Sequence, residues 1–213
     1  DLWGQWGWAR EVAALAGRSA PAAPDTTWSD DAQGWSVAIA DPGCSAYCGA
    51  VVSGVDNGPS PAWLQRLLES CGLRPLGLLV DVTNYVMLEL GEPMHAFDRR
   101  QIAGTQVQVR AARPEERLAL LDGRSIALHA EDLVIADAQR ALALAGIMGG
   151  AGSMVQADTS EIVLEAAVFQ GARIRRTRQR HGAATDSSAR FEKGLYGEGA
   201  PAAINRAIAL LRE

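Results

Sequence analysis

Apolar positions recur at helical spacing near both ends of this 213-residue chain and at strand spacing through much of its middle. Leu2, Trp6, Ala9, Val12, Ala13 and Leu15 predict a helix over residues 1–17, with Asp1 as its cap. Trp3, Trp6 and Trp8 cannot share one face, so at least one is expected to lie exposed or to meet a further partner. Residues 18–32, rich in Ala, Pro, Ser, Thr and Asp, read as a linker. Strands are expected at 35–40 and 47–55. Ser60 and Pro61 then open a helix carrying Trp63, Leu64, Leu67 and Leu68 and stopping at Gly72. The run 76–82, apolar save for Asp81 and lying between Pro75 and Thr83, reads as a strand feeding a short helix that ends at Gly91. Residues 107–110 alternate, and 118–121 and 125–128 flank Asp122-Gly123, a hairpin signal. Residues 133–136, 141–144 and 162–164 are further strands, and 170–181 and 199–212 return to helical spacing. Clustered strands between flanking helices predict an α+β fold with mixed or antiparallel sheets, not an alternating parallel one. The expected division is a helix and linker over 1–32, then one α+β domain over 33–213.

Composition narrows the picture. With 48% hydrophobic and 21% charged residues the chain is an ordinary globular one, long enough to bury a core without staples. A net charge of −5 means that any contact with a polyanion must come from a local patch. Arg173, Arg175, Arg176, Arg178 and Arg180 are the one basic cluster; they surround a helix, which suits either a solvated surface or phosphate contact. Cys44, Cys48 and Cys71, an odd set without paired spacing, argue for reduced thiols and against a disulfide framework or a metal site. The absence of a long apolar run or a signal peptide predicts a cytoplasmic protein that spans no membrane. Both ends fall within helical patterns, so a piece of a longer chain is expected.

Three segments concentrate polar residues and glycines beside apolar runs: residues 81–98, 143–165 and 181–194. In the first, Thr83 and Asn84 stand where a helix is expected to begin, as caps or as ligands, and His95 follows in a Gly/Pro loop as a hydrogen-bonder or as a group that orients or deprotonates water. In the second, Gly146 and Gly149 suit a tight turn or a close approach to a ligand, and Glu165 at a strand end is either partnered internally or an acceptor for a ligand's donor. In the third, Thr185, Asp186 and Ser187 precede a short helix and suit a cap. The chain has no dinucleotide glycine fingerprint, no P-loop and no nucleophile elbow. Unaided, these residues define an α+β domain with a polar pocket and no named reaction.

Taken together in order, however, they resemble the β-subunit family of phenylalanyl-tRNA synthetase. Residues 81–98 resemble its DVTNYVxLELGxPMHAFD signature, 144–150 its LAGIMGG, 159–169 its TxxIxLExAxF, and 180–194 its RxGxxTDSSxRFE segment; 7–17 resemble its GxAREVAALTG helix. The similarity runs from about residue 2 to 212. It implies the editing-module fold and hydrolysis of tyrosine mis-attached to phenylalanine tRNA. It places Thr83, Asn84 and His95 around the scissile ester, and Gly146, Gly149, Glu165, Thr185 and Ser187 in the amino-acid pocket, with Glu165 accepting the tyrosine hydroxyl. Arg173, Arg176 and Arg180 become candidate RNA contacts. The implied partners are the aminoacylated 3′ end of tRNA and the α subunit of an α2β2 synthetase. No cofactor is implied for this region, ATP and Mg belonging to aminoacylation by the parent enzyme. The alternatives are a non-catalytic RNA-binding or subunit-scaffold module, and a free-standing editing protein. The sequence departs from the family pattern at Gly77, where Asn or Asp is common, at Lys193, at Ser187 and at Leu195-Tyr196-Gly197.

Overall fold

The computed structural model describes residues 2–29 and 34–213. Helix α1 (Gln5–Leu15) comes first, and the cap expected at Asp1 lies outside the described residues. Strands β1 (Ser36–Ile39) and β2 (Cys44–Ser53) follow, then helices α2 (Ala62–Ser70) and α3 (Leu78–Leu90) and strand β3 (Met94–Asp98). A run of strands comes next: β4 (Gln106–Ala111), β5 (Arg117–Ala119), β6 (Ser125–Ala127), β7 (Leu133–Ala136), β8 (Ala141–Leu144), β9 (Met148–Gly149) and β10 (Glu161–Phe169). Helices α4 (Gly171–His181), α5 (Asp186–Phe191) and α6 (Gly199–Leu211) close the chain. The expected α+β class holds.

Strand β10 organises the molecule. It lies between β2 and β3 in an antiparallel three-stranded sheet, while β1, β4, β7, β8 and β9 form a second, mixed sheet in which β1 runs parallel to β4. Successive side chains of a strand face opposite ways. Ile162, Leu164 and Ala166, with Ala96 of β3, therefore pack on one side against Leu79, Val82 and Val86 of α3 and Ala203, Ile204 and Ala207 of α6. Val163, Ala167 and Phe169, with Phe97, pack on the other side against Val109, Ile135, Leu142 and Leu144 of the five-stranded sheet. Because both faces are covered, β10 is almost continuously apolar, with Glu165 as a buried carboxyl in its middle. The sequence reading ended this strand at Leu164, because Ala166 and Ala167 carry little strand preference; tertiary burial carries it on to Phe169.

The stretch read as a strand running into a helix is a single helix. Buried Leu79, Val82, Thr83, Val86 and Met87 repeat at the helical period. Dividing the run at Thr83 conceals that period. Thr83 is thus well inside α3, where its hydroxyl donates to Val80 O at 2.8 Å, and neither it nor Asn84 caps a helix. The cap comes from elsewhere. Gly77, at φ 145°, ψ 155°, has a backbone conformation that side chains disfavour, and it has no capping oxygen to offer. Asn57 supplies one instead: its Oδ1 accepts from Leu79 N at 3.2 Å, while its Nδ2 donates to Gln156 O at 2.9 Å. The departure at Gly77 is offset from 20 residues upstream. Asn57→Ala is expected to lower stability by about 1 kcal/mol, seen as a lower urea midpoint at unchanged slope; an unmoved midpoint would show that α3 holds its start without this cap.

Helix α1 meets α3 at a backbone-to-backbone contact, since a Cβ on Gly4 would fall 2.4 Å from Gly91 N. The segment after it folds back across the body: Trp6 Nε1 donates to Ala22 O, and Asn205 Nδ2 donates to Asp25 O and Thr27 O. Of the three early tryptophans, Trp8 is the exposed one, at 52%.

Candidate active site

His95 stands opposite Glu165 in the register between β3 and β10, so both side chains rise from the same face of the three-stranded sheet, toward the five-stranded one. His95 is thus a strand residue, not a loop residue, and Glu165 lies mid-strand, not at a strand end. Facing them is the turn between β8 and β9. A cavity of about 60 Å³ is lined by His95, Glu165, Gly146, Gly149, Ser187 and Phe191, together with Pro93, Met94, Ile135 and other residues of the 143–149 stretch.

The local folding of these walls follows from their sequence. Gly146 turns at φ 66°, and a Cβ there would fall 2.9 Å from Phe169, 3.0 Å from Phe191 and 3.1 Å from Ile174. A Cβ on Gly149 would fall 2.5 Å from His95 Cε1 and 2.8 Å from its Nε2, so the imidazole lies directly on this backbone. Thr185 is the cap expected of it. Its Oγ1 accepts from Ser188 N in a capping box, and it also donates to Ile147 O at 2.9 Å, which ties the start of α5 to the glycine turn. That tie sets Ser187 against the cavity.

Burial governs the charges. It pushes the Glu165 carboxyl up to about 8 and the His95 imidazolium down to about 4. At neutral pH His95 is a neutral ring whose buried Nε2 has no hydrogen-bond partner among the described residues. A ring so hard to protonate is a weak base but can still hydrogen-bond. Glu92, beside Pro93 in the cavity wall, is 2% exposed and is pushed up to about 9, first by burial and then by the charge of Glu165. Among the described residues no three His, Cys, Asp or Glu side chains converge as a metal site.

The structure brings His95, Glu165, Gly146, Gly149 and Ser187 together, with Thr185 behind them. Thr83 and Asn84 are not in the cavity lining; their helix packs on the opposite face of the sheet, against Ala96, Ile162 and Leu164. Of the arginines, Arg173 pairs with Asp41 and donates to Glu131 O. Arg180 pairs with Asp132 and Glu131. Arg176, with Arg175, stays exposed and pairs with no carboxylate among the described residues. Sequence reasoning passed over Glu92 and Phe191. A signal for Glu92 was present, a charge between Gly91 and Pro93 in an otherwise apolar approach to His95; Phe191 carried none.

The B3/4 domain family matches residues 43–213. The phenylalanine–tRNA ligase β subunit of Anaeromyxobacter dehalogenans (strain 2CP-C) is 46% identical over 209 residues, 96% of this chain and 26% of that protein. The same subunit of Moorella thermoacetica (strain ATCC 39073 / JCM 9320) is 49% identical over 170 residues, 80% of this chain and 21% of that protein. The chain therefore spans about a quarter of the length of the curated relatives it matches. Among solved structures, an N-terminal fragment of the phenylalanyl-tRNA synthetase β-subunit from Pyrococcus horikoshii aligns over 78% of this chain and 51% of that one, with a TM-score of 0.45 and 15% identity.

Proposed function

This chain belongs to the B3/4 domain family, and on that footing we propose that it is the editing region of a phenylalanine–tRNA ligase β subunit, hydrolysing tyrosine wrongly attached to phenylalanine tRNA. The observation that carries the reading is Glu165, a buried carboxyl facing His95 across two strands, above a cavity floored by a glycine turn. Tyrosine exceeds phenylalanine by one hydroxyl. A phenol in this cavity can donate to Glu165, whereas a phenyl ring would leave the buried carboxyl without a donor, and that penalty discriminates more sharply than fit alone.

The reacting ester lies toward the open side, near His95. An aminoacyl ester is already activated, so the site needs chiefly to hold it and a water in line. The neutral His95 ring serves as that positioning hydrogen-bonder, the backbone at Gly146 and Gly149 forms a close-fitting floor, and Ser187, held by Thr185 behind it, borders the side chain of the substrate. The step uses no ATP or Mg, which belong to aminoacylation in the parent enzyme. Its partners are the 3′ end of tRNA and the α subunit of an α2β2 assembly in the cytoplasm, and Arg175 and Arg176 are the arginines of α4 left available for phosphate. No helix among the described residues is long and apolar enough to cross a membrane.

The test uses the full-length synthetase carrying this region, incubated with preformed tyrosyl- and phenylalanyl-tRNA of the phenylalanine acceptor. Selective release of tyrosine is expected. An enzyme that still charges phenylalanine yet releases neither amino acid would leave this region a scaffold.

A further inference from the structure

Tyr47 is a tyrosine of the protein's own, placed beside the group proposed to recognise a tyrosine. In the register between β2 and β10, Gly49 is opposite Glu165 and Tyr47 is opposite Ala167. Tyr47, two residues from Gly49, therefore shares the face of Glu165 as its diagonal neighbour across the strands, within reach of a long aromatic side chain. Its ring leans the right way: a Cβ on Gly49 would meet Tyr47 Cε1 at 3.5 Å, so the ring lies over the glycine that faces Glu165. Glycine at 49 leaves that space open.

The hydroxyl is the unexplained part. Tyr47 packs against the core between the sheets, and its Oη is buried without a hydrogen-bond partner among the described residues. A phenylalanine would pack the same ring without the penalty of an unpaired buried hydroxyl. A carboxylate has two oxygens and can accept from two phenols at once.

We propose that Tyr47 is a positioning residue for Glu165: its phenol, unpaired in the structure, donates to one carboxylate oxygen once that carboxyl is ionised and the substrate phenol donates to the other. The proposal rests on the editing reading above and deepens it. Tyr47 suits the role because burial, and after it the charge of Glu165, push its own ionisation well above the usual range, so it remains a donor. Its bond favours the ionised carboxylate, which then accepts the substrate hydroxyl more strongly. The other titratable groups around Glu165 are Cys44 and Cys48 on β2, His95 on β3 and Glu92 before it. The opposite wall, of Ile135, Ala143, Leu144 and the glycine turn, contributes none.

The experiment compares the full-length synthetase with its Tyr47→Phe, Glu165→Ala and doubly substituted forms on tyrosyl- and phenylalanyl-tRNA, across pH 6 to 9. Tyr47→Phe is expected to lower kcat/KM for the tyrosyl ester about ten-fold, to leave phenylalanyl hydrolysis unchanged and the melting temperature no lower, and to move the acidic limb of the profile to higher pH. In the Glu165→Ala background it should add no further loss. If Glu165→Ala destroys selectivity while Tyr47→Phe behaves as the parent, or costs as much with Ala at 165 as without, Tyr47 has only a packing role and the editing reading stands. If Glu165→Ala itself leaves the preference for tyrosine unchanged, the editing reading fails and this proposal with it.

Discussion

The Glu165→Ala variant is expected to lose its preference for tyrosyl over phenylalanyl ester by at least about 100-fold, while the fold survives and gains stability in alkaline solution. The first half follows from the hydrogen-bond asymmetry: a site built around an acceptor discriminates through the donor that a wrong ligand lacks, and removing the acceptor abolishes the difference. Glu165→Gln, which keeps a neutral acceptor of the same shape, should lose less. The second half follows from linkage. Glu165 is raised to about 8 in the folded chain from an ordinary 4.5. The unfolded chain releases this proton first, so folded stability declines as pH rises from about 4.5 toward 8, by an amount on the order of a few kcal/mol. Glu165→Gln removes that decline. It should melt close to the parent below pH 4.5 and above it at pH 8. Glu92, raised to about 9, contributes a similar alkaline loss, so only the double variant with Glu92→Gln should give a flat profile there. On the acid side His95, lowered to about 4 from 6.5, destabilises the fold as pH falls between those values, a contribution that both glutamine variants keep. Paired melts and deacylation rates from pH 4 to 9 check both halves. A Glu165→Gln protein that melts lower at pH 8 would mark the carboxylate as a structural partner and not a recognition group.

What the sequence discloses, and what it hides, divides along the range of the interactions. The hairpin around Asp122-Gly123, the β7 and β8 pair and helices α4 and α6 are announced by local period and turn chemistry, and they stand close to where those signals put them. The α3 helix is misread because its first turn, residues 78–82, is apolar save for the buried Asp81: it lies against α2, α6 and β3, and its N-terminal cap reaches it from Asn57. His95 reads as a loop residue because Gly91 and Pro93 precede it, yet pairing with β10 draws Met94–Asp98 into a strand. Thr83 and Asn84 read as site residues because they share a motif with His95; strand alternation sends that histidine to one side of the sheet while α3 covers the other. Arg173 and Arg180 of α4 look available because their carboxylates, Asp41, Glu131 and Asp132, lie 40 or more residues away in sequence, a separation at which local pattern carries no information.

The two glycines of the turn look alike in sequence and should fail in opposite ways. Gly149→Ala places a methyl 2.5 Å from His95 Cε1 and 3.0 Å from Leu121 Cδ1, at a residue whose backbone lies outside the left-handed region. The contact is with side chains, one of which borders a cavity, so the imidazole can swing away and the fold can absorb the change. On the proposed function the histidine then leaves its place beside the ester, and a misplacement on the order of 1 Å at a positioned group costs roughly 100-fold in rate. Gly146→Ala meets Phe169, Phe191 and Ile174 at 2.9–3.1 Å, and it does so at φ 66°. Those partners are buried core residues, so overpacking and left-handed strain add, and a loss of about 2–4 kcal/mol in stability is expected. Gly149→Ala should therefore melt within a few degrees of the parent and release tyrosine slowly, whereas Gly146→Ala should melt far lower. Combining Gly149→Ala with His95→Ala separates the causes. If the methyl acts by displacing the ring, it should slow the His95→Ala enzyme no further, whereas an additional large loss would mean that it blocks the amino-acid pocket itself.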